Sequence, residues 1–176
     1  LLHARDLLPK IEGRRVRMLD VGAGASLIYP LLATAAFNWE CVGSEVDKEA
    51  ISYAKGLVRM NANMMGTRIR RQEFKSQLLQ GIIERKETFD LLVCNPPFYK
   101  TKSEALAANT LKNKNLHGKE EANHNFGGSA NELWYKGGEE AFLKKLALES
   151  AEYGQQIQWF TCLVSKKDHL RTFKRF

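Results

Sequence analysis

Phe89-Asp90-Leu91-Leu92-Val93-Cys94-Asn95-Pro96-Pro97-Phe98 decides how this chain is read. The first six residues form an apolar run with the length of a buried strand. Two successive prolines donate no backbone hydrogen bond and hold φ at about −65°. The strand therefore stops there, in a stiff turn. Beyond it stand the Asn95 amide, the Pro96 carbonyl and the Phe98 ring. In an open α/β sheet, the space past the C-terminal ends of the strands is where ligands bind. These groups suit gripping a planar molecule that carries an –NH2.

Working outward, strands alternate with helices. Val16–Val21, Trp39–Val46, Arg68–Arg71 and Ile157–Val164 read as four more strands. Leu27–Phe37, Lys48–Asn61, Gln77–Arg85 and Glu132–Glu152 read as helices, with Pro30 in the first turn of the first of them. That rhythm predicts an α/β fold: a mostly parallel sheet with helices on both faces. Residues 99–131 break it. They are rich in Lys, Asn and Ala and bury little apolar surface, which predicts a flexible basic loop inside a single domain spanning 1–176.

Two further turns carry chemistry. Asp20-Val21-Gly22-Ala23-Gly24-Ala25-Ser26 follows the first strand. Its glycines let backbone approach a ligand without a Cβ, and the next helix start adds a positive dipole end. The dinucleotide fingerprint needs a third glycine, but Leu27 stands in that place, which argues against a pyrophosphate. Glu45, at the end of the second strand, is placed to accept hydrogen bonds from both ribose hydroxyls of a nucleoside. Asp47 competes for that role. A nucleoside head without pyrophosphate fits S-adenosylmethionine. Gly22, Gly24, Ser26 and Glu45 would hold it, with Asp20 near its methionine end.

Beside a methyl donor, the first turn acquires a mechanism. The lone pair of an exocyclic amine is delocalised into its ring. Acceptors at Asn95 and Pro96 would draw on the amine hydrogens and favour pyramidalisation, while Phe98 stacks the base. Stacking of this kind is worth roughly 1–3 kcal/mol, and the base must be unstacked to enter. The sulfonium methyl is already activated, so alignment supplies much of the catalysis.

Composition agrees. The formal charge is +7 and the pI about 9.4, which favours a polyanionic partner. Basic groups recur at Arg68, Arg70, Arg71 and Lys75, at Lys100, Lys102, Lys112, Lys114 and Lys119, and at Lys166, Lys167, Arg171, Lys174 and Arg175. No apolar stretch reaches the roughly 18 residues of a membrane span. The three cysteines, Cys41, Cys94 and Cys162, are too few and too widely spaced for a disulfide framework or zinc site, and they suit a reducing cytoplasm. The four histidines show no metal spacing, so no metal is expected.

Gly24-Ala25-Ser26-Leu27-Ile28-Tyr29-Pro30, Gly43-Ser44-Glu45, Cys94-Asn95-Pro96-Pro97-Phe98, His124-Asn125-Phe126-Gly127-Gly128, Glu132-Leu133-Trp134 and Gly137-Gly138-Glu139 together resemble the bacterial 23S ribosomal RNA adenine-N6 methyltransferases. They are more distantly similar to the eukaryotic methyltransferase-like protein 16. The resemblance covers nearly the whole chain. It implies a Rossmann-like class I methyltransferase fold, S-adenosylmethionine as donor, and one adenine of 23S rRNA, free or in a large-subunit assembly intermediate, as acceptor. Cofactor positions carry over to Gly22, Ser26, Glu45 and Asn95, and the resemblance favours Glu45 over Asp47. It also implies an upstream segment with a cofactor-contacting arginine, for which Arg5 is no safe match, and further strands after Phe176. The expectation is a domain incomplete at both ends, acting as a monomer. Competing readings keep the fold but change the amine, to guanine N2 or a glutamine side chain, or make the domain a non-catalytic RNA-binding module.

Overall fold

In a computed structural model, the structure describes residues 1–108 and 133–170. It forms two compact units, Leu1–Asn95 with Lys145–Leu163, and Pro96–Lys144 with Val164–Phe176. The first holds a five-stranded sheet: β1 (Arg17–Val21), β2 (Glu40–Glu45), β3 (Arg68–Arg71), β4 (Phe89–Cys94) and β5 (Ile157–Phe160). The helices are α1 (Leu2–Arg5), α2 (Ile28–Phe37), α3 (Lys48–Met60) and α4 (Gly138–Tyr153), with a further helical stretch at 102–108. Strand order is β3-β2-β1-β4-β5 and every pairing is parallel. The order turns back between β1 and β4. That junction is the switch point, where Val21 lies beside Cys94; in sheets of this kind ligands bind past the strand ends there.

The sheet is covered on both faces. Met18, Cys41, Leu91 and Val93 share one face and pack with Ala33 and Phe37 of α2. Ile69, in register with Gly43 on that face, joins Ala54 and Leu57 of α3. Arg70 points to the other face, where it bonds the Ile82 carbonyl (2.6 Å). There Glu149 of α4 accepts hydrogen bonds from the Leu78 and Leu79 amides at 3.1 and 2.7 Å. β4 is buried along its whole length, as its unbroken apolar run requires. Its one charge, Asp90, receives both guanidinium nitrogens of Arg14 (2.7 and 2.6 Å) and the Arg17 amide.

Several expectations change. Residues 77–85 form successive turns rather than a helix. Glu149 takes the amides of Leu78 and Leu79, and Gly81 adopts φ +81°, so the segment is shaped by α4 and not by its own periodicity. The helix expected over 132–152 starts at Gly138, because Gly137 and Gly138 hold left-handed backbone (φ +90° and +72°). Regular pairing of β5 ends at Phe160, although Thr161 and Leu163 continue to donate to the Leu92 and Cys94 carbonyls. Within the expected loop, Tyr99 bridges to Trp134 and 102–108 is helical. The remainder, with His124 and Asn125-Phe126-Gly127-Gly128, lies outside the described residues.

The first basic group is partly spoken for. Arg70 pairs with Glu87 and Glu84, and Arg71 with Glu73. Burial alone would raise the Glu87 pKa, but hydrogen bonds from Arg70 and Arg17 bring it below the usual carboxylate range. Among the described residues, no helix is long and apolar enough to cross a membrane.

Candidate active site

Three strand ends meet at the switch point. The chain leaves β1 at Gly22 and Gly24 with φ of +72° and +63°, a region that costs a side-chain-bearing residue roughly 1–2 kcal/mol. The turn then folds over the end of β2. The Ser44 carbonyl accepts the amides of Gly22 (3.0 Å) and Ala23 (2.9 Å). Glu45 accepts the Gly24 amide at 3.1 Å on Oε2, and the Val46 and Asp47 amides at 2.6 and 2.9 Å on Oε1. Glu45 thus ties the glycine turn to the turn after β2. It is buried, and with Oε1 taken twice and Oε2 once, one acceptor site on Oε2 remains for a ligand.

Asp47 has a different job. Its carboxylate accepts the Glu49 and Ala50 amides and caps α3. Ser26 is exposed and does not cap α2, whose N-cap is Leu27. Leu27 holds left-handed backbone (φ 47°) with its side chain fully buried beside Ala54 and Met64. A leucine packed there fills the place of the third glycine, in keeping with a site that takes no pyrophosphate.

Asp20 is the electrostatic peculiarity. It is 2% exposed, and among the described residues no donor bonds its carboxyl. Burial, and then the charge of Glu45, push its pKa up to about 8. Its own charge in turn helps raise the Tyr29, Cys41 and Cys94 pKa values, in each case behind burial. Among the described residues no arginine or lysine compensates this group. Among the described residues, the C-terminal end of β1 is therefore built around the carboxyls of Asp20 and Glu45.

Asn95 is exposed at the end of β4, and its side chain makes no hydrogen bond among the described residues. In the second unit, Pro96 is buried and Phe98 is 42% exposed. In that unit Glu139 accepts from the Ser165 amide and hydroxyl and contacts His169 Nδ1 (2.6 Å), which fixes the chain after β5. Arg5, the uncertain match to an upstream arginine, pairs with Asp6 and lies over the Phe37 ring. Among the described residues, no group of acidic, histidine and cysteine side chains is placed to hold a metal.

One residue was legible only as part of a motif. A Cβ on Gly43 would sit 2.9 Å from the Ala23 Cβ and 3.3 Å from Ile69 Cδ1. Gly43 lets the glycine turn lie flat on β2. Gly43→Ala is expected to cost about 1–3 kcal/mol in overpacking and to weaken cofactor binding about tenfold by lifting Ala23. Denaturant melts and calorimetry check the two effects; an unchanged affinity would show that the turn tolerates displacement.

The comparisons with known proteins agree with this architecture. A family model described as RNA methyltransferase matches residues 1–176. The ribosomal RNA large subunit methyltransferase F of Enterobacter sp. (strain 638) is 40% identical over 173 residues, which are 96% of this chain and 57% of that protein. The chain thus spans a little over half the length of the curated relatives it matches. Among solved structures, the hMettl16 catalytic domain in complex with the MAT2A 3'UTR hairpin 1 superposes with a TM-score of 0.72 at 30% identity, over 91% of this chain and 54% of that one. The N-terminal domain of human METTL16 in complex with SAH shares the fold, with a TM-score of 0.71 at 24% identity over 99% of this chain and 56% of that one. With its parallel sheet turning back between β1 and β4 and its full-length match, the chain belongs to the RNA methyltransferase family.

Proposed function

We propose that this protein transfers a methyl group from S-adenosylmethionine to the exocyclic N6 amine of an adenine in 23S ribosomal RNA, in the cytoplasm. The observation that carries the reading is the meeting of the Gly22–Gly24 turn, buried Glu45 and Asn95 at one switch point. The ribosomal RNA large subunit methyltransferase F relatives support the nucleic acid, and the Asn95-Pro96-Pro97-Phe98 turn supports the amine.

The residues fit the cofactor. Glu45 keeps one acceptor site, on Oε2, for a ribose hydroxyl, and Gly22 and Gly24 offer backbone without Cβ atoms. Asp20 offers a buried acceptor to the methionine end. Gly22, Gly24 and Ser26 complete that set. Bound S-adenosylmethionine supplies an electrophilic methyl on a sulfonium. The chain supplies alignment and acceptors. The Asn95 oxygen and the Pro96 carbonyl accept the amine hydrogens, so the nitrogen lone pair turns out of conjugation toward the methyl. Phe98 stacks the base. The proton leaves only after the new N–C bond forms, so no base is needed before attack.

The test is methylation of rRNA from a strain lacking this protein by its full-length form, with mass spectrometry of the nucleosides. One new N6-methyladenosine per rRNA is expected. N2-methylguanosine instead would transfer the reading to guanine. Absence of both, with no cofactor binding by calorimetry, would leave an RNA-binding module.

A further inference from the structure

The end of β4 carries a second reactive group that the methyl-transfer reading does not use. Leu92 pairs with Phe160, the Thr161 amide donates to the Leu92 carbonyl at 2.8 Å, and the Leu163 amide donates to the Cys94 carbonyl at 2.9 Å. This two-residue repeat sets Cys162 directly beside Cys94, with both side chains on the same side of the sheet. Cys162 is close enough to contribute to the raised pKa of Cys94, behind burial. Cys94 is buried and Cys162 half-buried. Asn95 is the next residue along the chain.

We propose that Cys94 and Cys162 form a dithiol modification site, oxidised by a hydroperoxide to a disulfide that displaces the adjoining Asn95 and slows methyl transfer. The geometry permits the bond. Neighbouring strands lie about 4.8 Å apart, and disulfide Cα–Cα separations run from about 4.4 to 6.8 Å. The Cβ atoms of a disulfide, however, sit about 3.8 Å apart. Closing that gap draws the ends of the two strands together and moves the first residue past β4. A bond made under such strain is also readily reduced, as a reversible modification requires.

The electrons balance in two steps. Cys162, the sulfur a solvent oxidant meets first, attacks the peroxide oxygen. The O–O bond breaks, water leaves, and Cys162 becomes a sulfenic acid. The Cys94 sulfur then attacks the Cys162 sulfur, the S–O bond breaks, and a second water carries off the thiol proton. Two thiols give up two electrons and the peroxide accepts them. Burial, and then the neighbouring Cys162, raise the Cys94 pKa and hold it as the neutral thiol. Its place directly beside Cys162 makes it the resolving partner, and its proton leaves with the departing oxygen as water. Cys41 is also buried, its pKa pushed up to about 12 mainly by burial, and β1 separates its strand from β4 and β5, so it has no sulfur partner there and stays a thiol.

The cross-link is read by mass and stands apart from the proposed methyl transfer; only the activity readout rests on that reading. Full-length reduced protein is exposed to a few equivalents of hydrogen peroxide, alkylated, digested and mapped. The expected product is one peptide pair joining Cys94 to Cys162, two hydrogens lighter than the free thiols, with Cys41 alkylated. Methyl transfer should fall about fivefold and return with dithiothreitol. Cys162→Ser should form no cross-link and keep its activity in peroxide, and Cys162→Ala should behave alike. Two alkylated thiols after treatment, or Cys162 carried on to sulfinic acid with Cys94 free, would overturn the site. A complete cross-link with unchanged turnover would overturn the control of Asn95.

Discussion

Asn95→Ala is expected to lower the rate of methyl transfer by about 10²–10³-fold, the usual effect of removing one positioned hydrogen-bonding group at a reacting centre. Cofactor affinity should change by less than about fivefold. The two effects separate because Asn95 makes no hydrogen bond within the described protein and is exposed at the strand end; its loss leaves the sheet and the Gly22–Glu45 turn untouched. The side-chain oxygen is needed only when an amine is present to be pyramidalised. Asn95→Asp preserves an acceptor at the same place and should retain more activity than the alanine variant. Single-turnover kinetics with saturating cofactor, alongside calorimetry, give the two quantities. Near-normal turnover by Asn95→Ala would sink the proposed mechanism, whereas a large loss of cofactor binding would make Asn95 a binding residue instead.

Much of this site was readable from sequence because it is built at strand ends. A strand that stops at Pro96-Pro97 or at Gly22 announces its boundary by chemistry that no tertiary contact can override: a missing amide, or a backbone region closed to residues with a Cβ. Hence β1 and β4 end where the residues placed their ends, at Val21 and Cys94. Where the controlling contact is distant in sequence, local pattern failed. Residues 77–85 carry apolar spacing suited to a helix, yet Glu149, some 70 residues away, takes the amides at its start. Asp47 and Glu45 could not be separated by spacing. Only the cap that Asp47 makes on α3 and the bonds of Glu45 to the glycine turn distinguish them. The Cys94–Cys162 pair was equally hidden, since it needs the knowledge that β5 lies beside β4. Gly43 lost its role for the same reason: a glycine in a strand says that something comes close, not what.

Asp20 supplies the remaining large effect, and its sign follows from burial. Its pKa stands near 8 in the folded protein, against an ordinary value of 3.8. Between those values the folded protein binds a proton that the unfolded chain has released. Raising the pH through that window therefore destabilises the fold, by up to about 1.4 kcal/mol per pH unit, and the loss levels off above pH 8. Asp20→Asn should flatten that slope in denaturant melts. The same proton is linked to the cofactor. A ligand bearing positive charge at the methionine end is favoured by ionised Asp20, so binding must drive the proton off wherever the free protein holds it. Affinity for S-adenosylmethionine should rise with pH by up to about tenfold per unit below pH 8 and then level, with proton release seen by calorimetry in buffers of different ionisation enthalpy. The ligand's own amine titrates in both proteins, so the ratio of wild-type to Asp20→Asn affinities isolates the carboxyl. S-adenosylhomocysteine, which lacks the sulfonium charge, should release less. Parallel pH profiles for wild type and Asp20→Asn would show that the carboxyl faces no cation, and the methionine end would then have to be sought elsewhere around the glycine turn.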